Sequence, residues 1–280
     1  MDDRFGEILL AKREVVTAFP EWMLPAETVA RLRAAAGAAI IEVAGRDSLA
    51  AALRAAAEDG YRLFLPTVAY TGTEFGDWQP PFEKVAYLRE RLRAVRGDAE
   101  VLEPVVIGAP ELWRLLCGRY VLAQYRRFGF YTPCIGCHVY LHALRVPLAK
   151  KVGCRVVVAG ERESHGGLVK LNQIPPALDA YVDLLARFDV ELSLPLRRVS
   201  SGAEIDELVG AASGEREDQL ECVLSRNYRD ASGAVPYDED AVRRFLAEYA
   251  LPLAERAVKA YLAGERPDYE TLGDDLWRTS

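Results

Sequence analysis

The chain has 280 residues, 50% apolar and 28% charged, with a formal net charge of -7. That is enough for one sizeable α/β core or two small ones, and it excludes collagen, a disordered chain and a disulfide-dense miniprotein. No apolar run approaches the roughly 20 residues that span a bilayer, and the opening MDDRFGEILLAKRE has mixed charge and no apolar export segment, so the sequence reads as a soluble, cytoplasmic protein with no membrane partner.

Residues 7–18 and 26–36 carry helical patterning around the turn PEWMLP, and the apolar run AAIIEVAG at 38–45 reads as a buried strand. Asp47 or Ser48 then caps the helix SLAAALRAAAEDG, which Gly60 ends. RLFLPTVAYTG (62–72) predicts a second strand, 82–96 a helix and 99–109 a third strand, and Pro110 opens a helix to about residue 128. A helix over 136–152 leads into the strand CRVVVAG (154–160), followed by helix 176–188, strand 191–199 and helix 203–212. From residue 237 one more amphipathic helix is expected, kinked at Pro252. This alternation predicts a doubly wound, mostly parallel α/β sheet with helices on both faces. Residues 1–37 form an N-terminal helical segment, 38–225 the α/β domain and 226–280 a helical tail.

Charge is unevenly spread. No Asp or Glu occurs between residues 112 and 160, where eight Lys and Arg residues fall. Against an acidic average that speaks against a general nucleic-acid coat protein, this window reads either as solvated basic side chains or as an anion-binding surface.

Five cysteines, an odd number, argue against a disulfide framework. Cys117, in an apolar helical pattern, and Cys154, opening a strand, read as small core residues. Cys134 and Cys137 differ, because Pro133-Cys134-Ile135-Gly136-Cys137 sets two thiols a helical turn apart where a loop becomes a helix. They suit a redox pair or two ligands of a structural zinc with His138 or His142, which leaves Cys222 in the polar segment EDQLECVLSRNYRD without a role.

In an open parallel sheet, ligands bind beyond the carboxyl ends of the strands. After the first strand come Val43-Ala44-Gly45-Arg46-Asp47-Ser48, a glycine turn feeding a capped helix. Its unpaired N–H groups and positive dipole end suit phosphate, although many strand-to-helix turns carry Gly and Asp for structural reasons alone.

With these residues the sequence resembles the PP-loop ATP pyrophosphatase superfamily, whose first strand ends in a Ser-Gly-Gly-x-Asp-Ser loop. Ala44-Gly45-Arg46-Asp47-Ser48 matches its Gly, Asp and Ser positions. Strand CRVVVAG with Glu161-Arg162-Glu163-Ser164-His165 resembles the later strand that ends in Gly near the nucleotide, here Gly160, and Leu194-Pro195-Leu196 through Glu204-Ile205 resembles its Pro-Leu segment. The likeness spans about residues 36–225 and implies a Rossmann-like sheet of the adenine nucleotide alpha hydrolase type. The cysteines are similar to those of the iron–sulfur tRNA 2-thiolation branch, in which a Cys-x-x-Cys pair and one distant Cys hold a 4Fe-4S cluster with one open iron.

The resemblance implies a sulfurtransferase. A substrate oxygen attacks the α-phosphate of ATP, Mg2+ and loop N–H groups hold the leaving pyrophosphate, and the adenylated carbon accepts sulfur. Ala44, Gly45, Arg46, Asp47, Ser48 and Gly160 would bind nucleotide, with Asp47 catalytic, and Cys134, Cys137 and Cys222 would be catalytic cluster ligands. The partners implied are a nucleotide or nucleobase-containing substrate, tRNA among them, and a sulfur donor. Many relatives are homodimers, and the tail helix offers an interface.

Two departures from the family pattern open alternatives. Val43-Ala44-Gly45 stands where the family has Ser-Gly-Gly, and the N-terminal zinc-ribbon cysteines of some tRNA-thiolating relatives are absent. Arg46 can contact phosphate directly in compensation. Without ATP, the same cluster serves desulfuration of a thiolated base, and without turnover the fold serves as a nucleotide-binding or redox-sensing protein. His138 and His142 share one helical face and read as site-lining residues or as satisfied partners at a helix edge. His165 is expected near the ligand. Thr71, Thr73, Glu74 and Asp77 are expected to touch nucleotide or to shape a turn, and Tyr125, Phe128, Phe130 and Tyr131 to stack a base or fill the core.

Overall fold

The computed structural model describes residues 1–210 and 220–277. The last two positions of the predicted helix 203–212, and residues 217–219 of the polar segment before Cys222, lie outside the described residues.

Two short helices, α1 (Asp3–Ala11) and α2 (Ala26–Ala34), precede the first strand, β1 (Ala38–Glu42), all of whose residues are buried. Helix α1 stops at Ala11 rather than running to residue 18, because the chain turns through Lys12 (φ 48°) and Val15 pairs with Gly108 in an antiparallel bridge. Helix α3 (Arg46–Glu58) carries five buried alanines on a face whose small side chains allow close packing. Its cap is Gly45, not Asp47 or Ser48: Asp47 falls in the first turn, and Ser48 ties the loop from inside the helix. Next come β2 (Leu63–Tyr70), the two-residue β3 (Glu74–Phe75) and α4 (Gln79–Val95).

The predicted strand 99–109 is two pieces, β4 (Glu100–Val101) and β5 (Val105–Gly108), both paired with β2. Pro104 between them has no N–H to give the ladder. Likewise the predicted helix from Pro110 to 128 is broken at Gly118 into α5 (Pro110–Cys117) and α6 (Val121–Phe128). Helix α7 (Pro133–Val152) starts three residues earlier than predicted, so Cys134 and Cys137 lie in its first two turns. Then follow β6 (Val156–Val158), α8 (Pro175–Ala186), β7 (Glu191–Ser193), α9 (Gly202–Val209) and β8 (Glu221–Cys222). The tail is α10 (Glu239–Phe245) and α11 (Leu251–Leu262), joined by one π turn over Leu246–Ala250. The single predicted tail helix is thus continuous but locally widened where Pro252 removes a donor.

The main sheet is parallel throughout, in the order β4-β2-β1-β6-β7 with β5 extending β4 along β2. Helix α3 packs with α4 and α9, whereas α7 packs with α2, α5, α8 and α11, so the fold is a doubly wound, Rossmann-like α/β structure. One continuous apolar core includes Leu9 of the N-terminal segment and Tyr249 and Val258 of the tail. The strand order reverses at β1, which pairs with β2 on one side and β6 on the other. The crevice at that reversal is where such sheets bind ligands. No helix among the described residues is long and apolar enough to cross a membrane.

Candidate functional site

The loop after β1 and the loop after β6 meet at the reversal. Gly160 packs against the start of α3 so closely that a Cβ there would fall 2.5 Å from the Asp47 carbonyl carbon and the Ser48 nitrogen. Ser48 closes the turn: its Oγ donates to the Gly45 carbonyl at 2.6 Å and accepts from the Ala44 N–H at 3.1 Å. Arg162 Nε donates to Asp47 Oδ2 at 2.9 Å, and Arg46 Nη1 to Asp206 Oδ1 at 2.6 Å. The structure therefore brings Ala44, Gly45, Arg46, Asp47, Ser48 and Gly160 together, with both charged members already ion-paired.

Cys134, Cys137 and Cys222 all line a cavity of about 670 Å³, to whose wall none of residues 44–48 or Gly160 contributes. Cys134 and Cys137 arrive on the first turns of α7, where Pro133 occupies the first helical position and Thr132 is the cap, its Oγ1 accepting from the Cys134 N–H at 3.2 Å. Cys222 arrives by a different device. Strand β8 pairs antiparallel with β3, setting Cys222 opposite Glu74. Thr73 Oγ1 lies 3.2 Å from Cys222 Sγ, and the Leu224 N–H donates to the same sulfur at 3.4 Å.

Among the described residues the lining contains Lys170, Arg226 and Arg229 and no carboxylate. Arg229 is held by the carbonyls of Gly233 and Val169 rather than by an acid. Lys170 feels the charges around the loop after β1: desolvation lowers its pKa, Asp47 opposes that shift, and the cations Arg162, Arg226 and Arg46 add to it. Burial pushes the Cys134 thiol up, while Thr132 and the Arg226 main chain pull it back. Burial raises the Cys137 thiol strongly, against a lowering influence of the Trp113 indole. Both thiols are therefore held protonated unless a metal displaces the proton.

Among the described residues the only His, Cys, Asp or Glu trio with ligand atoms within 4.8 Å of one another is His138, His142 and Glu161, so the three sulfurs are not gathered around one point. Among the described residues neither His138 nor His142 groups with a thiol, and both rings meet Glu161 Oε1, each at 2.8 Å. Cys117 and Cys154 are buried core residues, as their contexts predict, and all five cysteines are free.

Other expectations divide. Thr73 touches Cys222, whereas Glu74 accepts from the Thr71 and Gly72 N–H groups and Asp77 from that of Gln79, so these acids shape turns. Tyr125 is exposed, Phe128 and Phe130 pack on Phe245 of the tail, and Tyr131 bonds the Cys117 carbonyl, so none of the four lines the cavity. The cavity's aromatic surfaces are Trp113 and Tyr228. His165 is buried near Asp47 and Lys170, and desolvation followed by the charges of Lys170 and Arg162 lowers its pKa to about 4. Sequence reasoning missed Lys170, Arg226, Arg229 and Trp113. The two arginines directly after Cys222 were the available signal, whereas nothing local marks Trp113.

The anion-binding surface expected of the acid-free window does not form as one patch. Arg114 and Arg119 pair with Glu270, Arg127 with Glu248 and Lys150 with Asp189, and Arg145 is buried against Glu42.

No family model matches the chain. The chain is 38% identical over 221 residues, 79% of its own length and 79% of the relative's, to a protein of Methanocaldococcus jannaschii described as the uncharacterized protein MJ0009.

Proposed function

The chain belongs, on that similarity, to one family with MJ0009, and we propose that it is a cytoplasmic, iron–sulfur-dependent sulfurtransferase of the PP-loop type. Its substrate is a nucleotide or nucleobase-containing molecule, tRNA included. The observation that carries this reading is the convergence of three thiols from two distant segments on one cavity whose described lining has no carboxylate. Cys134, Cys137 and Cys222 would hold a 4Fe-4S cluster, which would supply an iron free of protein ligands as the carrier of sulfide.

The chain's own residues account for binding and orientation. The first N–H groups of α3, with Arg46, hold the phosphates of ATP, and Gly160 permits the approach of the two loops. Asp47 holds Mg2+ once Arg162 yields it. Lys170, Arg226 and Arg229 hold the anionic part of the substrate, and Trp113 and Tyr228 offer faces to a base. A substrate carbonyl oxygen attacks the α-phosphate and pyrophosphate leaves. AMP then leaves as sulfur enters at the same carbon.

One observation favours a second reading, desulfuration without ATP. Arg46 and Asp47 are engaged by Asp206 and Arg162, and the hydroxyl and first glycine of the family loop are Val43 and Ala44.

Anaerobic reconstitution with iron and sulfide tests both. Iron content and visible absorption should be lost in Cys134→Ala, Cys137→Ala and Cys222→Ala and kept in Cys117→Ala. Loaded protein is then given thiolated and unthiolated nucleosides with and without ATP. Release of pyrophosphate and AMP assigns thiolation, and sulfide release without ATP assigns desulfuration. Zinc in place of iron, or a cluster indifferent to Cys222, overturns the sulfur chemistry, and nucleotide binding without turnover marks a sensor.

A further inference from the structure

Behind the cavity wall, His138, His142 and Glu161 form a second cluster that the sulfur chemistry does not use. We propose that these three side chains hold a divalent first-row transition-metal ion, zinc or a zinc-like cation, in a mononuclear nitrogen–oxygen site separate from the thiols. This goes beyond the sulfur-transfer reading and does not rest on it.

The geometry is close to that of a filled site. His138 and His142 lie four apart on α7, on one face, and Glu161 follows β6. Glu161 Oε1 lies 2.8 Å from His138 Nδ1 and 2.8 Å from His142 Nε2. Zinc bonds of about 2.0–2.2 Å at tetrahedral angles set adjacent donors about 3.3 Å apart. A cation therefore enters with a small outward relaxation, replacing the two ring protons that now point at the carboxylate.

Outer partners stand where metal-bound imidazoles use them, on the nitrogen away from the ion. His142 Nδ1 lies 3.9 Å from Glu42 Oε2, which Arg145 Nη1 approaches at 3.2 Å. His138 Nε2 lies 2.7 Å from the Asn172 amide, which after a flip presents its oxygen to a ring N–H.

Polar valence is left over in the same place. Glu161 Oε2 is buried without a hydrogen-bond partner, an arrangement that is costly unless something fills it. His138 alone of the three lines the cavity, and three protein ligands leave a fourth position open.

The test uses the full chain with Cys134, Cys137 and Cys222 all changed to Ala, so that no thiolate site competes. It is dialysed against zinc(II) or cobalt(II) alone, and metal content and cobalt absorption are read. One equivalent should bind, with visible d–d bands and without the intense thiolate charge-transfer bands. Glu161→Gln and His142→Gln, made in that background and checked for fold by circular dichroism, should each lose the ion. His138→Asn, at the cavity wall, should weaken binding at least tenfold and decides the matter if the buried variants do not fold. No stoichiometric ion in the thiol-free chain, or binding unchanged in Glu161→Gln or His138→Asn, overturns the proposal. Because the cluster thiols are absent throughout, either outcome is independent of the iron–sulfur reading.

Discussion

One residue sets how closely the loops approach at the sheet reversal. Gly160 has no room for a side chain, and the atoms it would strike are backbone, which cannot swing aside. Gly160→Ala is expected to cost about 1–3 kcal/mol by overpacking, read as a lower denaturant midpoint at unchanged slope. His165 carries a pH prediction. Its folded pKa of about 4 lies below the ordinary value of 6.5, so between those values the unfolded chain binds the extra proton. Stability from this group is full above pH 6.5 and falls as the pH drops toward 4, by at most about 1.4 kcal/mol per pH unit. His165→Gln should flatten the pH dependence of the unfolding free energy across that window.

Among the elements, α7 carries most of the site. Thr132 caps it, bonds the Cys134 N–H and donates to Asn227 Oδ1 at 3.0 Å on the segment that follows Cys222. Thr132→Ala should cost about 1 kcal/mol as a lost cap. It should also loosen iron retention after reconstitution, since the same hydroxyl joins the two thiol-bearing segments. A cap acting on α7 alone would lower stability and leave the iron-to-protein ratio unchanged.

Across the whole molecule, the C-terminal tail neutralises the basic window. Glu248 and Glu270 take up Arg127, Arg114 and Arg119 from α5, α6 and the turn between them. These pairs are partly exposed, so each contributes no more than about 1 kcal/mol. Glu248→Gln with Glu270→Gln should therefore leave the midpoint of unfolding nearly unchanged while delaying elution from a heparin column. A large loss of stability without a change in elution would show that the tail acts by packing alone.

Most of the fold was legible because its signals are local. Apolar runs bounded by Gly and Pro mark β1, β2 and β6, and alanine-rich and Pro-opened segments mark α3, α5 and α8. The cysteine spacing and the Gly45–Ser48 turn also stand in the sequence, and the structure sets the three cysteines on one cavity and closes the turn with Ser48. What local patterning does not carry is pairing at a distance. The two-residue strands β3 and β8 have no periodicity of their own, yet their pairing alone brings Cys222 to Thr73. His138 and His142 show their common face in the sequence, but Glu161 joins them only because α7 packs back against β6. Sequence by itself thus determined the elements and the chemistry available, since these depend on neighbouring residues. Only the tertiary structure decided which side chains share a cavity, because that depends on strand order and on charges that pair across more than a hundred residues.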